Sequence, residues 1–395
     1  MTALRHETDD ADIGDLHEVV DPVPGAGGPH LPQQPDLVQL LTPEGERLEH
    51  PDYPLDVSDE ELRGFYRDMA LVRRWDGEAT ALQRQGELGI WAALLGQEAA
   101  QVGSGRALRP QDFAFPTYRE HGVAWCRGVD PLKLLGLFRG SSNGGWDPQE
   151  KRFQLYTIVI GSQTLHATGY AMGVQKDGAV GSDDGEAVIA YFGDGASSQG
   201  DVNEAFVWAS VYNAPVVFFC QNNQWGISTP TDHQTRIPLY RRAEGFGFPG
   251  VRVDGNDVLA SYAVTRKALD DARNGQGPTL VEAYTYRMGA HTTSDDPTRY
   301  RLASDLEAWK LKDPLERMKS FLYKQQLVDT DFFDQLQAEA DALAVRIRQG
   351  CLEMPDPDPS SMFTHVYAET TPLLQEQQAA FEAYLAGFSS EGAVH

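Results

Sequence analysis

The chain has 395 residues, a hydrophobic fraction of 41% and a formal net charge of −25. This is the composition of a folded protein with a substantial core. The excess of acidic residues argues against nucleic acid and anionic membranes as partners. No apolar run approaches the roughly 20 residues of a membrane span. Three widely spaced cysteines (Cys126, Cys220 and Cys351) and an acidic, polar start predict a cytoplasmic protein with neither a disulfide framework nor a secretion signal.

Residues 1–55 begin with acidic residues and continue with DPVPGAGGPHLPQQP, which is too rich in proline and glycine for regular structure. This pattern predicts a flexible N-terminal arm, and the alternative is an arm that wraps a partner subunit. Order is expected to begin at Ser58, because Ser58 and Glu61 form a capping box ahead of apolar residues at helical spacing. Further helices are predicted over 96–108 and 130–140.

From about residue 158, apolar strand-like runs alternate with helical stretches. The runs are AVIAYFG, PVVFFCQNN, GVRVDG and PTLVEAYTYR. Unbroken apolar strands between helices are typical of a parallel sheet covered by helices on both faces. The sequence therefore predicts an α/β fold, with one domain over 56–370 whose part after Ser304 is mostly helical. A C-terminal helix and tail are expected over 371–395.

A Gly193-Asp194-Gly195 turn joins the first of these strands to a helix-like stretch. Glycines in this position usually let the backbone approach a phosphate, but a carboxylate repels one. The turn does not fit the dinucleotide pattern G-x-G-x-x-G, because the third glycine falls at position 200. One alternative is therefore an ordinary tight turn.

The following strand supplies a second interpretation of that turn, because it ends in Gln221-Asn222-Asn223. Parallel neighbours joined by one helix bring their carboxyl ends side by side, so Asp194 and an asparagine near position 223 can converge. A carboxylate and an amide oxygen suit Mg²⁺, which completes its shell with phosphate oxygens. The spacing therefore predicts a magnesium ion standing between Asp194 and a phosphate.

Residues 193–225 resemble the thiamine diphosphate signature, in which GDG is followed by NN after slightly under 30 residues. From about residue 56 to 370, the chain resembles the α subunit of heterotetrameric 2-oxo acid dehydrogenases, the E1 component. The matching stretches are GQEAAQVGS, FPTYREHG, IVIGSQ, GDGASSQGD, CQNNQWGIS and TYRMGAHTTSDDPTRYR. The resemblance implies the thiamine diphosphate-binding fold, with thiamine diphosphate and Mg²⁺ as cofactors.

The resemblance also implies which residues hold the metal and the diphosphate. The metal ligands would be Asp194, Asn223 and the backbone carbonyl of Trp225, where the family usually has tyrosine. Only the carbonyl is needed at that position, so the tryptophan is compatible with the role. Gly195 and Ala196 match the backbone N–H donors to the diphosphate.

Three further side chains receive roles near the cofactor from this resemblance. Arg119 would grip the diphosphate and Tyr118 would lie near the aminopyrimidine, whereas an isolated Tyr-Arg pair would suggest the surface of a helix start. His291 matches a histidine near the diphosphate and the reacting carbon, in a loop expected to order on cofactor binding. A lone histidine in such a loop is more often a surface or capping residue. Gln221 aligns with an arginine of branched-chain members but lacks its charge.

The IVIGSQ stretch matches the loop whose backbone holds the aminopyrimidine. Ile160 would be the apolar wedge that bends the cofactor, and Ile158 aligns with a backbone contact. This loop is two residues shorter than in mammalian branched-chain subunits, which carry a potassium site there, so the site is not extended to this chain. Thr292 stands where animal mitochondrial forms have a regulated serine, and nothing in the sequence indicates its phosphorylation.

The family reaction decarboxylates a 2-oxo acid and transfers the acyl group to a lipoyl group on the E2 subunit. Because the stretch GAHTTSDDPTRYR lacks residues that pyruvate-type subunits often insert, branched-chain substrates such as 3-methyl-2-oxobutanoate are favoured over pyruvate or acetoin. A non-catalytic scaffold subunit is the contrary class. In the family, the glutamate against the aminopyrimidine comes from the β subunit, and no second thiamine half is recognisable here. The resemblance therefore implies an α₂β₂ heterotetramer with the site at an α/β interface.

Overall fold

The computed structural model describes residues 36–182 and 184–389. The strands are β1 Leu37–Val38, β2 Phe113–Phe115, β3 Val188–Gly193, β4 Val216–Asn222, β5 Trp225–Gly226, β6 Thr229–Pro230, β7 Gly250–Asp254 and β8 Thr279–Tyr284. Six of them form one sheet in the order β1-β7-β8-β4-β3-β2, and every neighbouring pair in it is parallel. The predicted α/β fold with a parallel sheet is confirmed.

Helices pack on both faces of this sheet, and further helices lie outside this layer. They are α1 Asp59–Arg84, α2 Glu98–Ala107, α3 His121–Cys126, α4 Pro131–Arg139, α5 Pro148–Lys151, α6 Ser162–Lys176, α7 Gly200–Tyr212, α8 Arg242–Phe246, α9 Val258–Arg273, α10 Ala303–Lys310, α11 Pro314–Lys324, α12 Thr330–Leu352 and α13 Pro372–Ser389. Helix α2 packs along α9, and the approach is close because Gly103 has no side chain. A Cβ there would come within 2.7 Å of the Val258 carbonyl oxygen. None of the helices in the described part of the chain is both long and apolar enough to cross a membrane.

The central strands β3 and β4 are apolar on both faces because helices bury both faces of the sheet. Residues of β4 are buried without exception, and alternate residues of β3 belong to two separate core clusters. In the register of these two strands, Gly193 lies opposite Gln221. The turn that follows β3 and the asparagines that end β4 therefore lie at the same edge of the sheet, as the sequence predicted.

Helix α1 begins as the sequence predicts. Ser58 and Glu61 form both halves of the capping box. The helix ends at Arg84, just before Gly86, whose φ of +88° is in the left-handed region. The sequence pattern was sufficient here because the cap, the apolar spacing and the terminal glycine all indicate the same helix.

Two features at the edges of the sheet differ from the sequence-based expectation. The short edge strands β1 and β2 were not predicted, because two or three residues are too few for a periodic pattern. Of the predicted N-terminal arm, residues 1–35 lie outside the described residues. The prediction of a flexible arm does not hold for 37–41, because β1 pairs with β7 and Leu41 is fully buried.

Candidate functional site

A cavity of about 420 Å³ lies at the carboxyl ends of β3 and β4. All residues predicted for the site, except Ile158, line it: Tyr118, Arg119, Ile160, Asp194, Gly195, Ala196, Gln221, Asn223, Trp225 and His291. Ligand sites of open α/β sheets lie in this position, outside the carboxyl ends of the strands. The side chain of Ile158 is 61% exposed instead.

Asp194 is a carboxylate in the wall of this cavity. It follows β3 directly and is 1% exposed. Its Oδ2 accepts hydrogen bonds from Thr231 Oγ1 at 3.0 Å and Gln234 Nε2 at 3.1 Å. Burial raises the pKa of Asp194 to about 6, against the opposing effect of these two hydrogen bonds. Both of these partners are neutral, and a buried carboxylate held by neutral side chains is suited to a cation.

Gly195 and Ala196 open a short 3₁₀ helix, Gly195–Ser198, before α7 begins at Gly200. Gly195 approaches Gly226 closely: a Cβ at position 195 would lie 3.1 Å from the Gly226 Cα. The first N–H groups of a helical turn have no carbonyl partner within it. Both residues line the cavity, so their backbone N–H groups are candidate donors to a ligand there.

Asn223 and Trp225 bring two neutral oxygens to the same wall. Asn223 Oδ1 accepts from the Trp225 backbone N–H at 3.3 Å, and Asn223 Nδ2 donates to Gln97 Oε1 at 3.1 Å. The Trp225 carbonyl accepts from Arg287 Nη1 at 2.8 Å, which leaves one of its two lone pairs. Asp194, Asn223 Oδ1 and this carbonyl are hard oxygen donors of the kind that Mg²⁺ prefers, and the three residues line the same cavity.

Arg119 and His291 both line the cavity and are in direct contact with each other. Arg119 Nη2 donates to the His291 carbonyl at 2.7 Å and lies 3.2 Å from His291 Nδ1. Tyr118 Oη lies 3.5 Å from His291 Nε2. Burial, and then the charges of Arg119 and Arg287, lower the pKa of His291 to about 3. The imidazole is therefore neutral at physiological pH in this arrangement.

Arg287 lines the cavity but was not predicted from the sequence as a site residue. It follows β8, is buried, and donates to two carbonyls of the turn after β4: from Nη1 to Trp225 at 2.8 Å and from Nη2 to Ile227 at 2.7 Å. That turn needs support, because Gln224 and Ile227 both have positive φ values of 71° and 58°, which are unfavourable for such residues. The only sequence signal was its place four residues before His291.

Gln221 lines the cavity, but its amide is engaged with neighbouring side chains. Its Oε1 accepts from Gln101 Nε2 at 3.0 Å, and its Nε2 donates to Glu120 Oε1 at 2.7 Å. Burial raises the pKa of Glu120, which also accepts from Thr117. In these contacts Gln221 supports the base of the cavity wall, and its role toward a phosphate stays a prediction.

An irregular segment, residues 91–96, connects helix α1 to the site. Asp76 of α1 is 4% exposed, and its Oδ1 accepts from Trp91 Nε1 at 2.8 Å and from the Leu94 N–H at 3.1 Å. Burial raises the pKa of Asp76 to about 7. One carboxylate oxygen therefore fixes two points of the 91–96 segment.

The other side of the 91–96 segment holds the groups of the cavity. The Ala93 carbonyl accepts from Arg119 Nη1 at 2.5 Å. Trp91 exchanges two hydrogen bonds with Thr293: its N–H donates to Thr293 Oγ1 at 3.0 Å and its carbonyl accepts from the Thr293 N–H at 2.9 Å. Arg119 and the loop that carries His291 are thus anchored to the same segment.

Comparison with known proteins identifies a family and several relatives of this chain. The model of the dehydrogenase E1 component family matches residues 66–348. The 3-methyl-2-oxobutanoate dehydrogenase subunit alpha of Mycobacterium tuberculosis is 45% identical over 350 residues, covering 88% of this chain and 94% of the relative. The pyruvate dehydrogenase E1 component subunit alpha is 37% identical in Acholeplasma laidlawii, over 83% of this chain and 94% of the relative. In Staphylococcus aureus it is 40% identical, over 75% and 79%.

Proposed function

The chain belongs to the dehydrogenase E1 component family, and we propose that it is the α subunit of a branched-chain 2-oxo acid dehydrogenase. In this proposal it acts in the oxidative decarboxylation of acids such as 3-methyl-2-oxobutanoate, with acyl transfer to the lipoyl group of E2. The observation that carries the proposal is the convergence of Asp194, Asn223, the Trp225 carbonyl, Arg119 and His291 on one cavity. The mycobacterial relative supports the branched-chain substrate class by its name and its coverage.

Family membership implies thiamine diphosphate as the cofactor. When bound, thiamine diphosphate supplies the electron sink for the loss of carbon dioxide from the substrate. The cavity residues fit its anionic end together with a divalent cation. Asp194, Asn223 Oδ1 and the Trp225 carbonyl supply cation ligands, and the first N–H groups after Asp194 supply donors for phosphate oxygens. We propose Mg²⁺ for the cation because these donors are all oxygen.

Arg119 and His291 have complementary tasks in this proposal. Arg119 keeps a permanent positive charge beside the diphosphate end and orients the imidazole through its two contacts with His291. A neutral imidazole can hold or pass a proton at Nε2, the nitrogen that faces Tyr118 Oη. Ile160 gives the cavity wall an apolar surface, and apolar walls exclude water from the reacting groups.

An α subunit of this family implies a β subunit and a lipoyl-bearing E2 as partners. We propose an α₂β₂ heterotetramer in which the β subunit closes this cavity and supplies the glutamate against the aminopyrimidine. Three apolar side chains beside the cavity support a partner at its mouth, because Ile158, Val159 and Ile227 are 61%, 70% and 54% exposed. In this proposal the protein is cytoplasmic and its partners do not include nucleic acid or membranes.

The experiment that tests this function is a steady-state assay of the purified chain with its β subunit. 3-Methyl-2-oxobutanoate and pyruvate are supplied in parallel, with an artificial electron acceptor. We expect a higher kcat/KM for the branched-chain acid. The pyruvate-type relatives make pyruvate the second candidate, and a higher kcat/KM for pyruvate would replace the branched-chain assignment. An inactive pair that binds no thiamine diphosphate would favour a scaffold subunit.

A further inference from the structure

Gln97 is a fully buried polar residue in the cavity wall, and neither the sequence motifs nor the comparison with relatives assigns it a role. It immediately precedes helix α2 and is 0% exposed. Its backbone N–H donates to the Leu94 carbonyl at 2.9 Å, so its position is fixed relative to the 91–96 segment. Its side chain reaches the cavity beside Asn223.

The hydrogen bonds around Asn223 fix the direction of its amide. The Trp225 backbone N–H, which can only donate, lies 3.3 Å from Asn223 Oδ1. The amide nitrogen Nδ2 must therefore face Gln97, where it donates to Oε1 at 3.1 Å. Gln97 accordingly presents its oxygen to Asn223, and its own Nε2 is a buried donor without a hydrogen-bond partner among the described residues.

The direction of the Asn223 amide decides what it can bind. An amide oxygen is a ligand for Mg²⁺, whereas an amide nitrogen is not. A turned-over Asn223 would place two N–H groups toward the cation and an oxygen toward Gln97 Oε1. The Trp225 N–H sets the orientation that ligates, and Gln97 Oε1 reinforces it by accepting from Asn223 Nδ2. The unpaired Nε2 of Gln97 marks this corner of the cavity as one that a ligand oxygen would complete.

We propose that Gln97 is a positioning residue for the cation site, holding the Asn223 amide with its oxygen toward the metal. The inference rests on the proposed function, because it presupposes that Asp194 and Asn223 bind a divalent cation with thiamine diphosphate. It goes beyond that function by assigning the site a residue that need not touch the metal. The role requires the acceptor Oε1 and does not require the donor Nε2.

Two variants of the chain, purified with its β subunit, separate this role from general packing. Gln97→Met keeps the length and volume of the side chain but removes the acceptor, so Asn223 loses its partner. Gln97→Glu keeps an acceptor at the same place. Free Mn²⁺, measured by electron paramagnetic resonance during titration in the presence of thiamine diphosphate, reports metal affinity without turnover. Melting temperatures measured without metal control for folding.

We expect Gln97→Met to weaken Mn²⁺ binding at least tenfold and Gln97→Glu to stay within about fivefold of the unchanged chain, at similar melting temperatures. Mn²⁺ binding by Gln97→Met within twofold of the unchanged chain would overturn the inference. So would a Gln97→Glu variant that binds as weakly as Gln97→Met. Absence of Mn²⁺ binding by the unchanged pair would instead contradict the proposed function, and the inference with it.

Discussion

Arg119 Nη2 donates to the backbone carbonyl of His291 at 2.7 Å and lies 3.2 Å from Nδ1 of the same residue. A guanidinium cannot accept a hydrogen bond, so His291 Nδ1 must be the acceptor. Arg287 Nη1, 3.4 Å from the same nitrogen, imposes the same direction. The imidazole therefore carries its proton on Nε2, toward Tyr118, and the contact fixes both the position and the tautomer of His291.

We predict that His291 stays neutral between pH 5 and 8, with its proton on Nε2. Burial and the two arginines lower its pKa to about 3, below the value near 6.5 of an unfolded histidine. Its contribution to stability is therefore present above about pH 6.5 and is lost as the pH falls toward 3. Nitrogen-15 NMR of histidine-labelled protein measures the tautomer, with His291→Gln to assign the signal. A titration midpoint near 6.5 would contradict this arrangement.

For Asp194 we predict metal binding that is coupled to proton release. Burial raises its pKa to about 6, so the carboxyl is mostly protonated at pH 5 and ionised at pH 8. Mg²⁺ added at saturating thiamine diphosphate should release close to one proton per site at pH 5 and almost none at pH 8, and metal affinity should fall about tenfold per pH unit below 6. Calorimetry in two buffers of different ionisation enthalpy counts the protons.

The raised pKa of Asp194 also makes the stability of the ligand-free chain depend on pH. Because the folded pKa of Asp194 lies above the unfolded value, its contribution is full below about pH 4 and is lost as the pH rises through about 6. Asp194→Asn is the control, since it keeps the shape and cannot release a proton. It should abolish metal-dependent cofactor binding and retain the fold. Equal proton counts at the two pH values, or undiminished binding by the variant, would refute the assignment of Asp194.

The loop that carries His291 is predicted to become protected when the cofactor binds. Two hydrogen bonds anchor the loop: the His291 N–H donates to Asp295 Oδ2 at 2.8 Å, and Thr293 Oγ1 accepts from the Trp91 N–H. Arg299, further along the loop, is exposed. Trypsin should cleave after Arg299 in the ligand-free protein, and at least several-fold more slowly with thiamine diphosphate and Mg²⁺. Cleavage after Lys176, at the exposed far end of α6, is the internal control. Equal rates after Arg299 in both states would argue against an ordering loop.

We predict that Asp76 supports cofactor binding through the 91–96 segment. Asp76→Ala leaves the Trp91 indole and the Leu94 N–H without their acceptor, at a cost of roughly 1–3 kcal/mol each, and should weaken thiamine diphosphate binding about tenfold through Arg119. Asp76→Asn keeps an acceptor oxygen and should bind the cofactor within about threefold of the unchanged chain. Calorimetry measures the affinity and thermal unfolding measures the stability.

A matched control for Asp76 is Asp112, another buried carboxylate far from the cavity. Asp112 accepts from the Ala187 N–H at 3.0 Å and from Arg273 Nη2 at 2.6 Å. Asp112→Ala should lower the melting temperature at least as much as Asp76→Ala without changing cofactor affinity in the protein that remains folded. If both variants weakened cofactor binding equally, the effect of Asp76 would be one of general stability.

The sequence predicted those parts of the site that depend on local pattern. Adjacent parallel strands made the convergence of Asp194 and Asn223 foreseeable, because β3 and β4 are joined by a single helix. The roles of Arg119 and His291 came from motifs, since their contact joins positions 172 residues apart and no periodicity encodes it. The short edge strands and the order of 37–41 were missed for lack of local signal.

The supporting residues were harder to predict than the residues that line the cavity. Asp76 lies within helix α1, and Gln97 lies immediately before helix α2. Polar side chains at such positions usually face solvent. Only the tertiary structure shows that both are buried and that their partners lie in the 91–96 segment or after β4. Arg287 is similar, because its targets are the carbonyls of a turn about 60 residues earlier in the chain.

The central claim is that this chain holds the metal and diphosphate end of a site that a β subunit completes. Such an interface is expected to be obligate and to bury more than roughly 2,000 Å². The most direct test is decarboxylation of 3-methyl-2-oxobutanoate with thiamine diphosphate, Mg²⁺ and an artificial electron acceptor, measured for the chain alone and after addition of its β subunit. We predict almost no turnover by the chain alone and full turnover by the pair. Robust turnover by the purified chain alone would contradict the claim.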